Sequence, residues 1–226
     1  MNDARAIPGF RNILFDLDGT LTDPIEGFAA SVNHALVGLG MSPVSVDHLK
    51  QFVGPPLEET MRRLVGDSPE GIREAISLYR ERYGRIGFLE NSVYPGIKEI
   101  IEALDGRGAS LYLATSKPVV FAERILNHFG LADHFRGIYG SQLDGTHANK
   151  KHLIRHVLDS ETLAASSAVM IGDRMHDVVG ASANGLRTVG VLWGYGSRTE
   201  LQDAGAASLC EAPSDLPSVL SALEHF

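Results

Sequence analysis

Phe15-Asp16-Leu17-Asp18-Gly19-Thr20 comes straight after the short apolar run Asn12-Ile13-Leu14-Phe15. A short apolar run that ends in polar and glycine residues suits a strand covered on both faces. That predicts Asp16 at the carboxyl end of a strand, where open α/β sheets place their ligands. Three similar runs follow: Leu111-Tyr112-Leu113-Ala114, Ala168-Val169-Met170-Ile171 and Thr188-Val189-Gly190-Val191-Leu192. Between them apolar residues recur at helical spacing. Examples are Ile97, Ile100, Ile101 and Leu104, then Val120, Ile125 and Phe129 before Gly130, then Leu153, Ile154, Val157 and Leu158. Strands alternating with helices predict a parallel sheet with helices on both faces.

Almost a hundred positions separate Phe15 from Leu111, far more than one crossover helix needs, so something is inserted there. The inserted stretch reads as helical throughout. Ile25, Phe28, Ala29, Val32, Leu36 and Leu39 recur at helical spacing and stop at Gly40. A second helix is predicted from Leu57 to Val65, and Ser68-Pro69 supplies an N-cap and a first-turn proline for a third. The expected division is a sheet-bearing core of residues 1–22 and 92–226 and an all-helical cap of residues 23–91, rejoining the core near Tyr94-Pro95-Gly96.

The composition, 44% hydrophobic and 21% charged over 226 residues, is that of a globular chain, and it excludes disorder and collagen-like repeats. Twenty Lys and Arg against 28 Asp and Glu give −8, with the charges scattered. No nucleic-acid footprint is present. The single cysteine, Cys210, excludes an internal disulfide and a thiolate zinc cluster, which fits a reducing, cytoplasmic setting. Met1 to Phe10 carries Asp3, Arg5 and Pro8, and no stretch approaches the roughly 18 apolar residues of a membrane span. The expectation is a soluble, unexported protein, monomeric or homodimeric.

An isolated Asp-x-Asp-Gly reads equally as turn chemistry. A second acidic pair decides the matter, in Ile171-Gly172-Asp173-Arg174-Met175-His176-Asp177. Asp173 is again expected at a strand end, with Asp177 in the first turn of the next helix, where the helix dipole alone would favour it. Together Asp16, Asp18, Asp173 and Asp177 bring four carboxylates to one sheet edge, where they would repel without a cation. Hard oxygen ligands point to Mg²⁺ rather than zinc. Thr115 and Ser116 end another strand, where hydroxyls and turn amides suit phosphate oxygens or simply cap a helix. Lys150 or Lys151 precedes a helix near the same edge, able to balance the carboxylates or to be plain solvated surface.

These segments, in this order, resemble the motifs of the haloacid dehalogenase-like hydrolases, and within them the phosphatases with a helical cap after the first motif. The resemblance covers essentially the whole chain and implies a Rossmann-like core. It is similar to relatives described as 5′-nucleotidases in Gly145 to Lys150, and to phosphoglycolate phosphatases nearly everywhere else. By that resemblance Asp16 is the nucleophile that forms an aspartyl-phosphate, and Asp18 is the general acid and base. Gly19, Thr20, Thr115, Ser116 and Lys150 hold the phosphoryl group, Lys150 being chosen over Lys151. Asp16, Asp18, Asp173 and Asp177 serve Mg²⁺, Asp18 through its backbone carbonyl and Asp177 through the ion's water shell. The implied activity is hydrolysis of a small phosphomonoester, a nucleoside 5′-monophosphate or phosphoglycolate. A sugar-phosphate mutase is the alternative, and a phosphoacceptor signalling domain a more distant one, since it has neither Asp18's equivalent nor a cap. The arrangement requires Asp16 and Asp173 within about 8 Å of each other.

Other signals are weaker. Gln51-Phe52-Val53-Gly54-Pro55-Pro56-Leu57 breaks two helices where a loop could descend on the site, or is an ordinary interhelical turn. Arg62, Arg63, Arg80 and Arg82 are candidates for a second anionic group on the substrate, or solvated helix face. His152 and His156 stand four apart, a metal-ligand spacing with no third ligand evident. Trp193 is expected near the rim of the site or as core filler, and Cys210 is expected to be inert.

Overall fold

The computed structural model describes residues 10–223, so the N-terminal reading above lies, for residues 1–9, outside the described part. Strand β1 (Asn12–Phe15) is followed by the two-residue β2 (Thr22–Asp23) and by helices α1 (Ile25–Gly38), α2 (Val46–Leu49), α3 (Leu57–Val65) and α4 (Pro69–Arg82). A π-helical turn, Tyr83–Gly87, and the short β3 (Ser92–Val93) complete that stretch. Thereafter strands and helices alternate: α5 (Ile97–Gly106), β4 (Ser110–Pro118), α6 (Val119–Phe129), β5 (Phe135–Ser141), α7 (Lys150–Ser160) and β6 (Ala168–Gly172). The described residues end with α8 (Met175–Ser182), β7 (Arg187–Val191), α9 (Arg198–Asp203), β8 (Ser208–Cys210) and α10 (Leu216–Leu223).

Six strands form one parallel sheet in the order β5-β4-β1-β6-β7-β8. The architecture is α/β with helices on both faces of a parallel sheet, as the alternating pattern predicts, and Rossmann-like, as the resemblance implies. Alternation along β1 shows why both faces are covered. Ile13 and Phe15 pack into the larger core with Ile97 and Ile101 of α5, Ile125 of α6 and Leu220 of α10. Leu14, between them, points the other way into a second core with Leu153, Ile154 and Val157 of α7 and Ala181 of α8. All three β1 side chains are fully buried, which is why the run is continuously apolar.

The stretch between β2 and β3 is helical, and those two strands pair antiparallel at its neck. Ser68 accepts a hydrogen bond from the N–H of Gly71, and Pro69 opens α4, as the sequence predicts. Helix α3 ends at Gly66, whose φ of 90° is left-handed backbone that glycine adopts without strain. Helices α1 and α4 bury Val32, Ala35, Leu36, Ile72, Ala75 and Tyr79 against one another in the larger core. No helix among the described residues is long and apolar enough to cross a membrane.

Candidate active site

Strands β1, β4 and β6 lie side by side and all point the same way, so the residues after their last turns meet at one edge. Asp16 follows β1 and donates its backbone N–H to the Ile171 carbonyl at 2.9 Å, which ties it to β6. Asp173 follows β6, and Asp177 lies in the first turn of α8. Its Oδ2 accepts the N–H of Arg174 at 3.1 Å and so caps that helix. Carboxylate oxygens of Asp16, Asp173 and Asp177 all lie within 4.8 Å of one another, and all three residues are buried. The proximity of Asp16 to Asp173 that the motif reading requires is therefore present.

The two aspartates of Asp16-Leu17-Asp18 face different ammonium groups. Lys150 Nζ lies 2.8 Å from Asp16 Oδ1 and 2.7 Å from Asp177 Oδ1, and donates to the Ala114 carbonyl at 2.6 Å. Lys117 Nζ lies 2.7 Å from Asp18 Oδ2. Asp18 is thus outside the carboxylate triad, and its Oδ1 is buried with no hydrogen-bond partner among the described residues. Lys150 rather than Lys151 occupies the site, since Lys151 is exposed. Asn149 caps α7 by accepting the N–H of Lys151, which aims the Lys150 side chain inward.

Thr20 is fully buried and donates to Asp173 Oδ1 at 3.4 Å, while Asp173 Oδ2 accepts the N–H of Tyr195 at 2.8 Å. Gly19, with φ of 88°, turns the chain directly over Asp173. Thr115 Oγ1 accepts the N–H of Lys117 at 3.2 Å, and the Ser116 carbonyl accepts from Ser141. Trp193 donates its indole N–H to the Thr20 carbonyl at 2.9 Å, which places it against the first motif. Gly194 packs on the same turn: a Cβ there would stand 2.3 Å from the Gly19 carbonyl oxygen and 2.5 Å from Asp173 Cβ. Gly194→Ala is therefore expected to destabilise the fold by about 1–3 kcal/mol and to lower turnover by displacing Asp173. A wild-type melting temperature together with wild-type kcat/KM would contradict this.

A cavity of about 630 Å³ opens beside Asp16 and Asp18. Thr115, Ser116 and Lys117 line its floor, and Phe28, Phe52, Tyr79, Tyr83 and Phe121 give it aromatic walls. The loop through Phe52, Val53, Gly54, Pro55 and Pro56 also lines it, and its Val53 carbonyl accepts a hydrogen bond from the Arg174 guanidinium. Gly19, Thr20, Asp173 and Asp177 do not line this cavity, and Lys150 opens onto a smaller neighbouring one with Ser116 and His176. Of the four arginines singled out in the sequence, Arg80 alone lines the cavity, donating to the Leu143 carbonyl at 2.7 Å. Arg62 and Arg63 pair with Glu58 and Glu59 on the exposed face of α3, and Arg82 pairs with Glu90. His156 stacks on His147, ring centroids 4.4 Å apart. Cys210 is buried, and burial pushes its thiol up to about 11, so it is not a nucleophile near neutral pH.

Electrostatically the triad is short of positive charge. Burial, and then the charges of Asp16 and Asp177, push the Asp173 carboxyl well above its ordinary value. Burial raises Asp177 to about 6 even though Lys150 opposes it. Burial alone would lower the Lys150 ammonium, but Asp16 and Asp177 more than reverse that, so it stays charged. Asp18 is raised by burial against the opposing pull of Lys117.

Carboxylates and an ammonium gathered at the carboxyl end of a parallel sheet, beside a roomy cavity, suit phosphoryl transfer. Residues 13–191 match the family model described as haloacid dehalogenase-like hydrolase, and the chain belongs to that family. It is similar to a 5′-nucleotidase of Pseudomonas aeruginosa, 50% identical over 95% of this chain and 96% of the relative. A protein named tyrosine-protein kinase PtkA, from Mycobacterium tuberculosis, is 43% identical over 81% of this chain and 62% of its own length. Proteins named phosphoglycolate phosphatase stand near 30% identity. Among solved structures, a predicted phosphatase from Clostridium acetobutylicum superposes with a TM-score of 0.89 at 40% identity, covering 92% of this chain and 97% of that one. Family and relatives together make the chain a phosphatase.

Proposed function

We propose that the protein hydrolyses nucleoside 5′-monophosphates through an aspartyl-phosphate on Asp16, with residues 23–91 acting as a cap over a core of 1–22 and 92–226. The observation that carries the substrate reading is the cavity. Its volume and five aromatic walls suit a planar, partly apolar leaving group, whereas phosphoglycolate would fill little of it. The similarity to the nucleotidase supports the same reading.

The residues fit a divalent ion. Three buried carboxylates face one another with a single ammonium to balance them, and hard oxygen donors suit Mg²⁺. Asp16 and Asp173 would hold it by their side chains, Asp18 by its carbonyl, and Asp177 by ordering its water shell. When bound it supplies positive charge to the phosphoryl oxygens. Asp16 attacks phosphorus, and the bond from phosphorus to the bridging oxygen breaks as Asp18 gives that oxygen a proton. Thr115 and Ser116 hold the equatorial oxygens, while Lys150 orients Asp16 and compensates charge; the N–H groups of Gly19 and Thr20, expected to join them, are instead bonded to the Thr22 and Leu17 carbonyls. Asp18, now a carboxylate, takes a proton from water as it attacks the aspartyl-phosphate, which releases phosphate and restores Asp16.

A panel of phosphomonoesters tests the substrate. Nucleoside 5′-monophosphates are expected to exceed phosphoglycolate and hexose phosphates by about tenfold or more in kcat/KM, equivalent to roughly 1.4 kcal/mol of transition-state binding. Phosphoglycolate leading the panel would overturn the substrate assignment.

The raised carboxyls also fix a pH dependence. Because Asp173 and Asp177 have folded values above their unfolded ones, keeping both ionised costs the folded state free energy. Without divalent ions, stability is expected to rise as pH falls from 8 through about 6 toward the ordinary aspartate range near 4. Mg²⁺ needs the ionised forms, so its stabilisation should be larger at pH 8 than at pH 5.5. Melting temperatures in chelator and in Mg²⁺ at the two pH values measure this, and a Mg²⁺ shift that is absent or pH-independent would count against the metal site.

A further inference from the structure

Lys117 is a second buried ammonium that the sequence reading left without a role. It stands near the end of β4, its side chain 8% exposed, 2.7 Å from Asp18 Oδ2 and 2.7 Å from the Tyr83 hydroxyl oxygen, to which it donates. It also lies over the Tyr83 ring, 4.7 Å from the centroid. Tyr83 itself is fixed. It begins the π-helical turn after α4, stacks on Tyr79 at 5.2 Å and meets Phe121 edge-on at 5.3 Å. π-Turns within helical segments frequently mark functional sites. An ammonium carries three donors; Asp18 and Tyr83 engage two, and Lys117 lines the cavity where a substrate's bridging oxygen would sit. The contact is a short bridge from the inserted helices to one carboxyl group, separate from the Lys150 pairs that serve Asp16 and Asp177.

We propose that Lys117 is a positioning residue for the proton donor: held by Tyr83, it fixes the Asp18 carboxyl in the orientation that reaches the bridging oxygen of the leaving group. The assignment rests on the phosphatase reading above. It also makes the inserted helices part of the acid's support, since without Tyr83 the lysine loses its second anchor.

The test compares kcat/KM for a nucleoside 5′-monophosphate, whose alkoxide must be protonated to leave, with kcat/KM for 4-nitrophenyl phosphate, whose phenolate leaves unaided. Because kcat/KM reports steps up to release of the alcohol, it isolates the acid role from later breakdown of the aspartyl-phosphate. Lys117→Met is expected to lower the nucleotide-to-aryl ratio by about 10- to 100-fold, part of the 10²–10⁴ that a positioned acid supplies. Tyr83→Phe keeps the ring and its packing and removes only the hydroxyl, and should shift the ratio the same way by about 3- to 10-fold. In the Asp18→Asn background Lys117→Met should shift the ratio no further, because its effect passes through Asp18. Equal losses on both substrates would reduce Lys117 to a structural ion pair, and a raised KM on both at constant ratio would make it a phosphate ligand. Independent, multiplying losses in the double variant would also overturn the proposal. A wild-type enzyme inactive on both substrates, or an active Asp16→Asn, would instead remove the phosphatase chemistry, and the role of Lys117 with it.

Discussion

Asp16→Asn is expected to eliminate turnover, by about 10⁴-fold or more, the scale on which covalent mechanisms fail when their nucleophile is removed. The carboxamide is nearly isosteric and keeps an oxygen able to accept from Lys150, so the local geometry should survive. What disappears is the anionic oxygen that attacks phosphorus. The structure also separates this outcome from misfolding. Asp16 adds its charge to the burial that already raises Asp173 and Asp177, so its neutralisation relieves repulsion in a buried cluster. In chelator, Asp16→Asn should therefore melt no lower than the wild type. Acid-quenched wild-type enzyme under turnover should carry one extra phosphoryl group by mass, and the variant none. Measurable hydrolysis by a well-folded Asp16→Asn would mean that another group attacks phosphorus.

What could be read from the sequence follows the division between local and long-range physics. Strands β1, β4, β6 and β7 lie in the interior of the sheet, and burial on both faces writes them as continuous apolar runs. The edge strands are invisible by that criterion. In β5, Phe135–Ser141, the middle of the strand is only half-buried, and the string holds the exposed Arg136 and two glycines. In β8 there are only three residues. Helix ends were legible where a local device marks them, as at Ser68-Pro69 and Gly66. Asp16 and Asp173 are legible because each stands at the end of an apolar run, and Asp18 and Asp177 because they follow those two within four positions. Lys117 was not, even though it stands beside Thr115 and Ser116, because its partners lie far off: Tyr83 is 34 positions upstream and Asp18 further still. Periodicity also could not sort the arginines, since Arg80 and Arg82 share α4 and only the three-dimensional path of Leu143 decides which one meets the cavity.

Asp18→Asn is expected to divide substrates by leaving group. A nucleoside 5′-monophosphate expels an alkoxide, a poor leaving group that needs a proton as the bond breaks, and removing the donor should cost about 10²–10⁴ in kcat/KM. For 4-nitrophenyl phosphate the same step needs no acid, and the loss should stay within about tenfold, the remainder coming from the altered charge near Asp16. Breakdown of the aspartyl-phosphate requires Asp18 as a base whatever the alcohol, so kcat should fall for both substrates and the phosphorylated enzyme should accumulate. The environment suits this double use. Burial raises the carboxyl, which favours the acid form, while Lys117 at 2.7 Å pulls it back and favours the base. A group driven from both sides is poised to give up a proton in one half-reaction and accept one in the next. Were the two substrates to lose kcat/KM equally, Asp18 would be acting on the charge of the site as a whole, and the proton at the bridging oxygen would have to come from somewhere else.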